Sequence, residues 1–433
     1  MHGVETTIKK PDGVKLPLPV GKSDWEEVAG HCYCIDKTLL IRDLLAVRTG
    51  VALFTRPRRF GKTTAMQMLK CFFEKRGDGE PDVRHLFECR AIAHCERADE
   101  WMSHQGKYPV IYLTFKDHKG LTWNEAQYSL RYDIACEFSR HREAAESLTD
   151  KEDIQLFDRI WRARSGGCTM DELSQSLGLL AKTLHLHHGV KPVVLIDEYD
   201  SPINSASTYG YYDEMVAFMR AFLPGAMKDN NHVEMGVMTG VLRVAKEGIL
   251  SGLNNLKVYT VFDEPFSEYF GFTESEVEEM ARYYGREDKM PEIKAWYDGY
   301  DFGGREIYNP WSVLYYFDAK CVAKPYWLDT SSNDLINELV EKLPFDMVET
   351  LESLMKGETA VVPMTEELGP YQYIRERPET LYALLVSTGY LKPISEMVGC
   401  NCEVRIPNRE LETVFKTDIQ YKGQNKETRT CTR

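Results

Sequence analysis

A strand, a basic loop and a helix follow one another between residues 51 and 73 of this 433-residue chain. The apolar run Val51–Phe54 predicts the strand, and the loop Arg56–Thr63 follows it. The helix after the loop has an apolar face formed by Ala65, Met68, Leu69, Phe72 and Phe73. Because a helix N-terminus offers free N–H groups, a loop at this position in the chain is suited to binding phosphate.

The loop matches the phosphate-binding spacing G-x-x-x-x-G-K-[ST] at Gly61, Lys62 and Thr63, while Arg56 occupies the position of the first glycine. Lys62 is predicted to neutralise the outer phosphates, and the Thr63 hydroxyl to hold magnesium. We predict nucleotide contacts along the whole segment, from Arg56, Arg58, Arg59, Phe60, Gly61, Lys62, Thr63 and Thr64. The alternative interpretation is a basic, solvated turn before an amphipathic helix.

A second apolar run, at residues 191–196, ends in the adjacent carboxylates Asp197 and Glu198. This pattern is typical of a buried parallel strand that delivers acids to its C-terminal edge. Asp197 is predicted to bind magnesium, and Glu198 to orient the attacking water and accept its proton. A strand that ends in a solvated acidic turn is the alternative, but the presence of both motifs in one chain favours a nucleotide site.

Further short apolar runs at residues 108–115, 233–238 and 257–262 alternate with segments of helical periodicity. This alternation indicates an α/β fold, a parallel sheet with helices on both faces. Thr239 would then lie at the phosphate edge of the sheet, where it is predicted to sense the γ-phosphate. Arg243 is predicted to stabilise transition-state charge, with an ordinary surface or ion-paired arginine as the equal alternative.

Several unusual strings occur along the chain, at Tyr33–Thr38, Thr55–Thr63, Leu195–Asp200, Thr239–Arg243, Ser251–Asn255, Trp296–Tyr300, Tyr308–Ser312, Thr330–Asn333 and Ile406–Asn408. In these strings and their order, the chain resembles the AAA-ATPase-like proteins over roughly residues 17 to 415. The resemblance implies a P-loop NTPase fold that uses ATP and Mg²⁺. It also implies that an arginine-rich loop without the first glycine is the family's own form of the phosphate loop.

The family resembled here commonly carries a PD-(D/E)xK-type nuclease domain after the ATPase and its helical region. In this chain the sequence after Phe415 is polar and lacks apolar periodicity, which predicts disorder. The string Gln420–Lys422 faintly resembles the last nuclease motif, but the tail is too short to contain a nuclease core. Nuclease activity is therefore not expected of this chain.

Four segments are predicted: a polar N-terminal arm at 1–16, an AAA-ATPase-like P-loop nucleotide-binding domain at 17–262, a mostly helical, lid-like region at 263–415 and a polar tail at 416–433. The boundary near residue 263 depends on Pro265, which lies among acids and aromatics. A capping box at Thr273–Glu276 then predicts the start of a helix.

The net charge of −14 argues against a surface that generally coats nucleic acid, although it leaves nucleic-acid binding uncertain. The 11 cysteines show no pairing framework, which indicates free thiols in a reducing compartment. The N-terminus has no apolar signal core, and no run approaches the roughly 20 apolar residues of a membrane span. We therefore predict a cytoplasmic location, with the nucleus as the alternative, and no membrane partner.

Two classes of function remain open from the sequence. In the first, the chain hydrolyses ATP with magnesium to drive or switch a conformational change. In the second, it is a nucleotide-gated scaffold or interaction module with little or no turnover. The presence of Glu198 favours hydrolysis, because a pure switch can dispense with that acid. Self-association and a protein partner are compatible with both classes.

Overall fold

A five-stranded parallel sheet forms the centre of the computed structural model. Its strands are β1 Val51–Thr55, β2 Val110–Thr114, β3 Val193–Asp197, β4 Met235–Gly240 and β5 Leu256–Tyr259, in the order β2-β3-β4-β1-β5. The structure describes residues 14–416 except 49, 78, 229, 243–248, 250–252, 254, 328–344, 366–377 and 396–397. The predicted N-terminal arm and polar tail thus lie almost wholly outside the described residues.

Every residue of β1 and β3 is buried, as their continuous apolar sequences predict for strands covered on both faces. Helices surround the sheet; α3 packs against β2 and β3, and α6 packs against β2. Up to residue 262 the helices are α1 Trp25–His31, α2 Leu39–Val47, α3 Lys62–Phe73, α4 His85–Glu88, α5 Ala98–Met102, α6 Trp123–Arg140, α7 Lys151–Trp161, α8 Met170–Ser174, α9 Ser176–His188, α10 Ser201–Tyr209, α11 Tyr212–Phe222 and α12 Pro224–Met227. The predicted α/β, P-loop NTPase-like fold is confirmed.

The order of the strands brings the two sequence motifs to one edge of the sheet. Strand β4 pairs in parallel with both β1 and β3, so it separates the phosphate loop from the acidic motif by one strand. In this register Thr55 lies beside Gly240, and Ile196 lies beside Met238. The loop after β1, the acids after β3 and the end of β4 therefore meet at the C-terminal edge of the sheet.

Beyond residue 262 the described residues form helices and two small antiparallel sheets. The helices are α13 Glu274–Tyr284, α14 Met290–Tyr297, α15 Pro310–Asp318, α16 Phe345–Met355 and α17 Pro378–Ser387, followed by helical residues 409–416. The hairpin consists of β6 Tyr300–Phe302 and β7 Arg305–Ile307, and the second sheet of β8 Ala360–Pro363, β9 Lys392–Pro393 and β10 Asn401–Arg405. The predicted capping box at Thr273 and Glu276 begins α13.

The main hydrophobic core includes residues from both sides of the predicted boundary at 262. Phe60 of the phosphate loop contacts the rings of Tyr300 and Phe302 in the hairpin, with ring centroids 4.9 and 5.1 Å apart. The two predicted domains therefore share a packed interface directly at the loop. Among the described residues, no helix combines the length and the apolar character needed to cross a membrane.

Candidate functional site

Gly61 and Lys62 form the turn from the loop into α3. Gly61 is the N-cap residue and has a φ of 81°, a left-handed conformation that glycine adopts without a Cβ penalty. The Lys62 side chain is buried, and its Nζ donates to the carbonyl oxygens of Arg56 at 3.0 Å and Pro57 at 2.9 Å. Burial lowers the pKa of Lys62, while the acids after β3 oppose this shift. The lysine charge is thus held inside the loop and close to the acidic motif.

Three side chains from α3, β3 and β4 form one hydrogen-bonded cluster. The fully buried Asp197 accepts hydrogen bonds from Thr63 Oγ1 to its Oδ2 at 2.8 Å and from Thr239 Oγ1 to its Oδ1 at 2.5 Å. The Thr239 hydroxyl oxygen also accepts from the backbone N–H of Glu198 at 3.3 Å. The structure therefore brings the two predicted metal-binding residues into direct contact, and Thr239 contacts both acids.

Glu198 follows β3 with a φ of 53°, a left-handed conformation that is strained for a residue with a Cβ. Two hydrogen bonds to Thr239 hold this backbone: one from Glu198 N–H to the hydroxyl, and one from Tyr199 N–H to the carbonyl at 2.9 Å. Burial raises the pKa of the Glu198 carboxyl, and the Lys62 charge opposes the shift. A carboxyl whose pKa is raised towards neutrality is suited to general base catalysis.

The donor set at Thr63 and Asp197 fits a magnesium ion. Mg²⁺ prefers hard oxygen ligands and is usually bound by one or two carboxylates together with phosphate oxygens. The Thr63 hydroxyl and the buried Asp197 carboxylate are such ligands, and they already lie 2.8 Å apart. With Lys62 as a cation and Glu198 as a base beside them, the arrangement can support phosphoryl transfer to water.

Asp200 is a further buried acid after β3, and the sequence pattern predicted no role for it. Its buried Oδ2 accepts hydrogen bonds from the backbone N–H groups of Val241 at 3.1 Å and Leu242 at 3.0 Å. A Cβ on Gly240 would lie 2.7 Å from Asp200 Oδ1, so the end of β4 approaches this acid more closely than an alanine would allow. Asp200 thus holds the backbone that follows β4. The position of Asp200 in the sequence, three residues after Asp197, does not indicate this contact.

The Arg56 side chain contacts β5, which lies on one side of β1, whereas β3 and β4, which carry Asp197 and Thr239, lie on the other side. Its guanidinium is fully buried, and Nη1 donates to the carbonyl oxygens of Thr55 and Tyr259, each at 2.9 Å. Burial lowers its pKa to about 9. Its guanidinium carbon lies 5.5 Å from the centroid of the Phe270 ring and 5.3 Å from that of the Phe302 ring. This position favours a structural role for the side chain over the predicted phosphate contact.

The remaining predicted loop residues point in different directions. Arg58 is exposed, and its charge acts on Lys62 and Glu198. Arg59 has a φ of 71°, and its guanidinium lies 4.3 Å from the centroid of the Trp311 ring. Phe60 is fully buried, and Thr64 lies with Gly61 on the wall of a cleft beside the loop.

The structure thus brings together Lys62, Thr63, Asp197, Glu198 and Thr239 at one edge of the sheet. The side chains of Arg56, Arg59 and Phe60 instead contact the C-terminal region. The predicted Arg243 lies outside the described residues.

Comparison with known proteins adds two findings. A family model described as "Predicted AAA-ATPase" matches residues 19–250, which include all the strands up to β4 and both motifs. An uncharacterized protein in the vnfD 5' region of Azotobacter chroococcum mcd 1 is 29% identical over 337 residues. That alignment covers 76% of this chain and 57% of the relative, so the chain spans little more than half of that protein.

Proposed function

The chain belongs to the predicted AAA-ATPase family, and on this premise we propose that it binds ATP with Mg²⁺ and hydrolyses it to drive or switch a conformational change. The observation that carries the proposal is the cluster in which Asp197 accepts hydrogen bonds from Thr63 and Thr239 beside Glu198. This cluster supports hydrolysis, because nucleotide binding alone does not require a base next to the magnesium-binding acid.

In the proposed reaction, Lys62 and the N–H groups at the start of α3 bind the outer phosphates. Magnesium, held by Thr63 and Asp197, would offset the negative charge on the phosphate oxygens. Glu198 orients a water molecule and accepts its proton, while Thr239 keeps the two acids in place. Arg58 is the exposed loop cation that we assign to phosphate, and Arg243 stays a prediction as the residue that stabilises transition-state charge.

Replacing Thr63 with valine tests the magnesium site, because it removes the hydroxyl and keeps the shape of the side chain. We expect the affinity for ATP with Mg²⁺ to fall about 10- to 100-fold, the effect of losing a hydrogen bond or ligand to a charged group. Affinity for ATP in excess EDTA should not change. Calorimetric titration with ATP in Mg²⁺ and with ATP in EDTA measures both affinities. Thr63→Ser, which keeps a hydroxyl, should restore the affinity for ATP with Mg²⁺. A valine variant with unchanged magnesium-dependent affinity would show that Thr63 does not contribute to metal binding.

The conformational part of the proposal is supported by a buried link between the phosphate loop and the C-terminal region. Arg59 Nη1 donates to the carbonyl oxygen of Trp327 at 3.3 Å. The N–H of Trp327 in turn donates to Glu410 Oε1 at 3.0 Å, and Ser312 Oγ donates to the same carboxyl at 2.8 Å. A change at the phosphate loop can therefore reach α15 and helical residues 409–416 through direct contacts.

Glu410 should make the stability of this link depend on pH. Burial raises the pKa of the fully buried Glu410 to about 7. The hydrogen bonds that Glu410 accepts from Ser312 and Trp327, and the charge of Arg59, oppose the shift. Since the folded-state pKa lies above the unfolded value near 4.5, the folded state binds the proton more tightly. The resulting stabilisation is fully present below about pH 4.5 and is lost as the pH rises to about 7, by on the order of 3 kcal/mol.

Urea unfolding of wild type and Glu410→Gln at several pH values between about 5 and 8 measures this effect. We expect the free energy of unfolding of the wild type to fall with pH relative to that of the glutamine variant. Glu412→Gln, which removes a partly exposed carboxylate from the same helical segment, is the control. If the free energies of unfolding of wild type and Glu410→Gln changed with pH in parallel, the raised pKa of Glu410 would be contradicted.

A second candidate function is a nucleotide-gated scaffold that recruits a partner or a second copy with little or no turnover. The buried link between Arg59, Trp327 and Glu410 supports this candidate equally, because it transmits binding without requiring chemistry. The two candidate functions differ in their prediction for Glu198: only an ATPase should lose hydrolysis rate when this residue is replaced.

A further inference from the structure

The regular pairing of β3 with β4 stops just before the residues predicted to act in hydrolysis. Its last pair is Ile196 with Met238, and the residues that follow are joined by other bonds. Thr239 O accepts a hydrogen bond from Tyr199 N–H at 2.9 Å, and Thr239 Oγ1 accepts one from Glu198 N–H at 3.3 Å. The position of the Glu198 backbone therefore depends on where the end of β4 lies.

Two side chains that follow Glu198 hold the end of β4. Asp200 Oδ2 accepts from Val241 N–H at 3.1 Å and from Leu242 N–H at 3.0 Å. The Tyr199 hydroxyl donates to the carbonyl oxygen of Leu242 at 2.7 Å. Asp200 is 2% exposed and Tyr199 is fully buried, so these bonds lie out of water, where hydrogen bonds are stronger than at the surface.

Gly240 shows how closely the two side chains approach β4. A Cβ at this position would lie 2.7 Å from Asp200 Oδ1 and 2.7 Å from Cε1 of the Tyr199 ring, and both distances are too short for a real Cβ. On the side of β1, the Gly240 carbonyl oxygen accepts from Arg56 N–H at 3.1 Å. The end of β4 is therefore held from both sides.

An aspartate at the position of Asp200 would ordinarily cap a helix. Asp200 is the N-cap residue of α10, and aspartate is among the preferred residues there. Its carboxyl group nevertheless makes no hydrogen bond to the first turn of α10, all of which lies in the described part of the chain. Helix capping does not account for this carboxyl group, since its bonds go to the end of β4 instead.

We propose that Asp200 and Tyr199 are positioning residues for ATP hydrolysis, which hold the end of β4 so that Thr239 keeps Glu198 in place. This inference rests on the proposed function, in which Glu198 is the base. The left-handed backbone of Glu198, with a φ of 53°, is strained, and such a conformation persists only where its surroundings determine it. Because a base must lie within reach of its water, a small displacement of Glu198 lowers the rate.

Replacing Asp200 with alanine removes the acceptor for both N–H groups. We expect the single-turnover rate of ATP hydrolysis to fall about 10- to 100-fold, the effect of a misplaced catalytic group. The affinity for ATP with Mg²⁺ should stay within about threefold, because Lys62 and the loop amides are unchanged. Asp200→Asn keeps an acceptor oxygen and cannot carry a charge, so it should retain the rate within about threefold.

Combination with Glu198→Gln distinguishes positioning from general damage to the site. If Asp200 acts through Glu198, the double variant Glu198→Gln/Asp200→Ala should react at the rate of Glu198→Gln alone, because the base is already lost. Damage to the phosphate or magnesium site would lower the rate of the double variant further.

The matched control is Asp150→Ala, which removes another carboxyl group that accepts from two backbone N–H groups, those of Glu152 at 2.8 Å and Asp153 at 3.1 Å. It should react at the wild-type rate. Thermal unfolding checks that each variant is folded. If Asp200→Ala does not fold, Tyr199→Phe decides the question: it removes one hydroxyl, and we expect a rate loss of about 3- to 10-fold that disappears in the Glu198→Gln background.

Wild-type rates in both Asp200→Ala and Tyr199→Phe, while Glu198→Gln is slow, would overturn this inference and leave the proposed function standing. A double variant at least about tenfold slower than Glu198→Gln would also overturn it, as would an Asp200→Asn variant as slow as Asp200→Ala. A wild type that binds ATP without turnover would overturn the proposed hydrolysis and this inference with it.

Discussion

Replacing Glu198 with glutamine should lower the single-turnover rate of ATP hydrolysis by roughly 10²- to 10⁴-fold, the usual contribution of a general base. The change removes the proton acceptor and retains the size of the side chain. ATP affinity should stay within about threefold of the wild type, because Lys62 and the loop amides are unchanged. Rapid mixing with labelled ATP, with phosphate release as the readout, measures the rate.

The pH dependence provides an independent test of the same residue. Glu198 must be ionised to accept a proton, and burial raises its pKa above the ordinary value of 4.5. The wild-type rate should therefore rise with pH through a value above 4.5, and the residual rate of Glu198→Gln should lack this step.

Glu214→Gln, at an exposed position on α11, is the matched control and should react at the wild-type rate. Glu198→Gln is expected to fold, because desolvation raises the pKa of this half-buried carboxyl, and the neutral glutamine avoids that desolvation cost at a pH above the pKa. Equal, near-zero rates for wild type and Glu198→Gln would eliminate hydrolysis and leave the nucleotide-gated scaffold.

Replacing Arg56 with glycine should destabilise the protein by about 3 to 5 kcal/mol, the cost of emptying a large buried side-chain site. The loss also leaves the carbonyl oxygens of Thr55 and Tyr259 without the donor that the guanidinium provides. Urea unfolding at neutral pH measures the change. A glycine variant as stable as the wild type would contradict the structural role of this side chain.

Arg56→Met separates packing from charge, because methionine fills much of the space without a charge or a donor. The charge is poorly compensated: among the described residues Nε and Nη2 have no hydrogen-bond partner. Relief of this burial cost should offset much of the lost hydrogen bonding, so we expect Arg56→Met to lie within about 2 kcal/mol of the wild type. Its nucleotide affinity should be unchanged. If Arg56→Met lost nucleotide affinity tenfold while its stability was unchanged, the prediction that Arg56 contacts phosphate would be supported instead.

The parts of this fold that depend on local periodicity could be predicted from the sequence. The expected strand at Val51–Phe54 and the runs at 108–115, 233–238 and 257–262 correspond to β1, β2, β4 and β5. The approach of Thr239 to Asp197 also follows from the sequence, because parallel strands end at one edge. The three-residue strands of the hairpin and the two-residue strand β9 are too short to give a periodic signal, and no strand was predicted beyond residue 262.

The directions of the loop side chains could not be predicted, because they depend on residues far away in the sequence. Arg56 contacts Phe270 and Phe302, which lie more than 200 positions downstream. A cluster of basic residues in a loop gives no indication of which arginine is buried. Likewise, the contacts of Asp200 depend on the close approach of Gly240, which only the folded sheet creates.

The aromatic residues of β6 limit how this protein can be divided experimentally. A fragment that ended at residue 262 would lose Tyr300 and Phe302, and the buried ring of Phe60 would face water. The Arg56 guanidinium would also lose its contacts with the Phe270 and Phe302 rings. A minimal nucleotide-binding fragment must therefore extend at least through the hairpin, and an exchange of C-terminal regions between relatives would also change the environment of the phosphate loop.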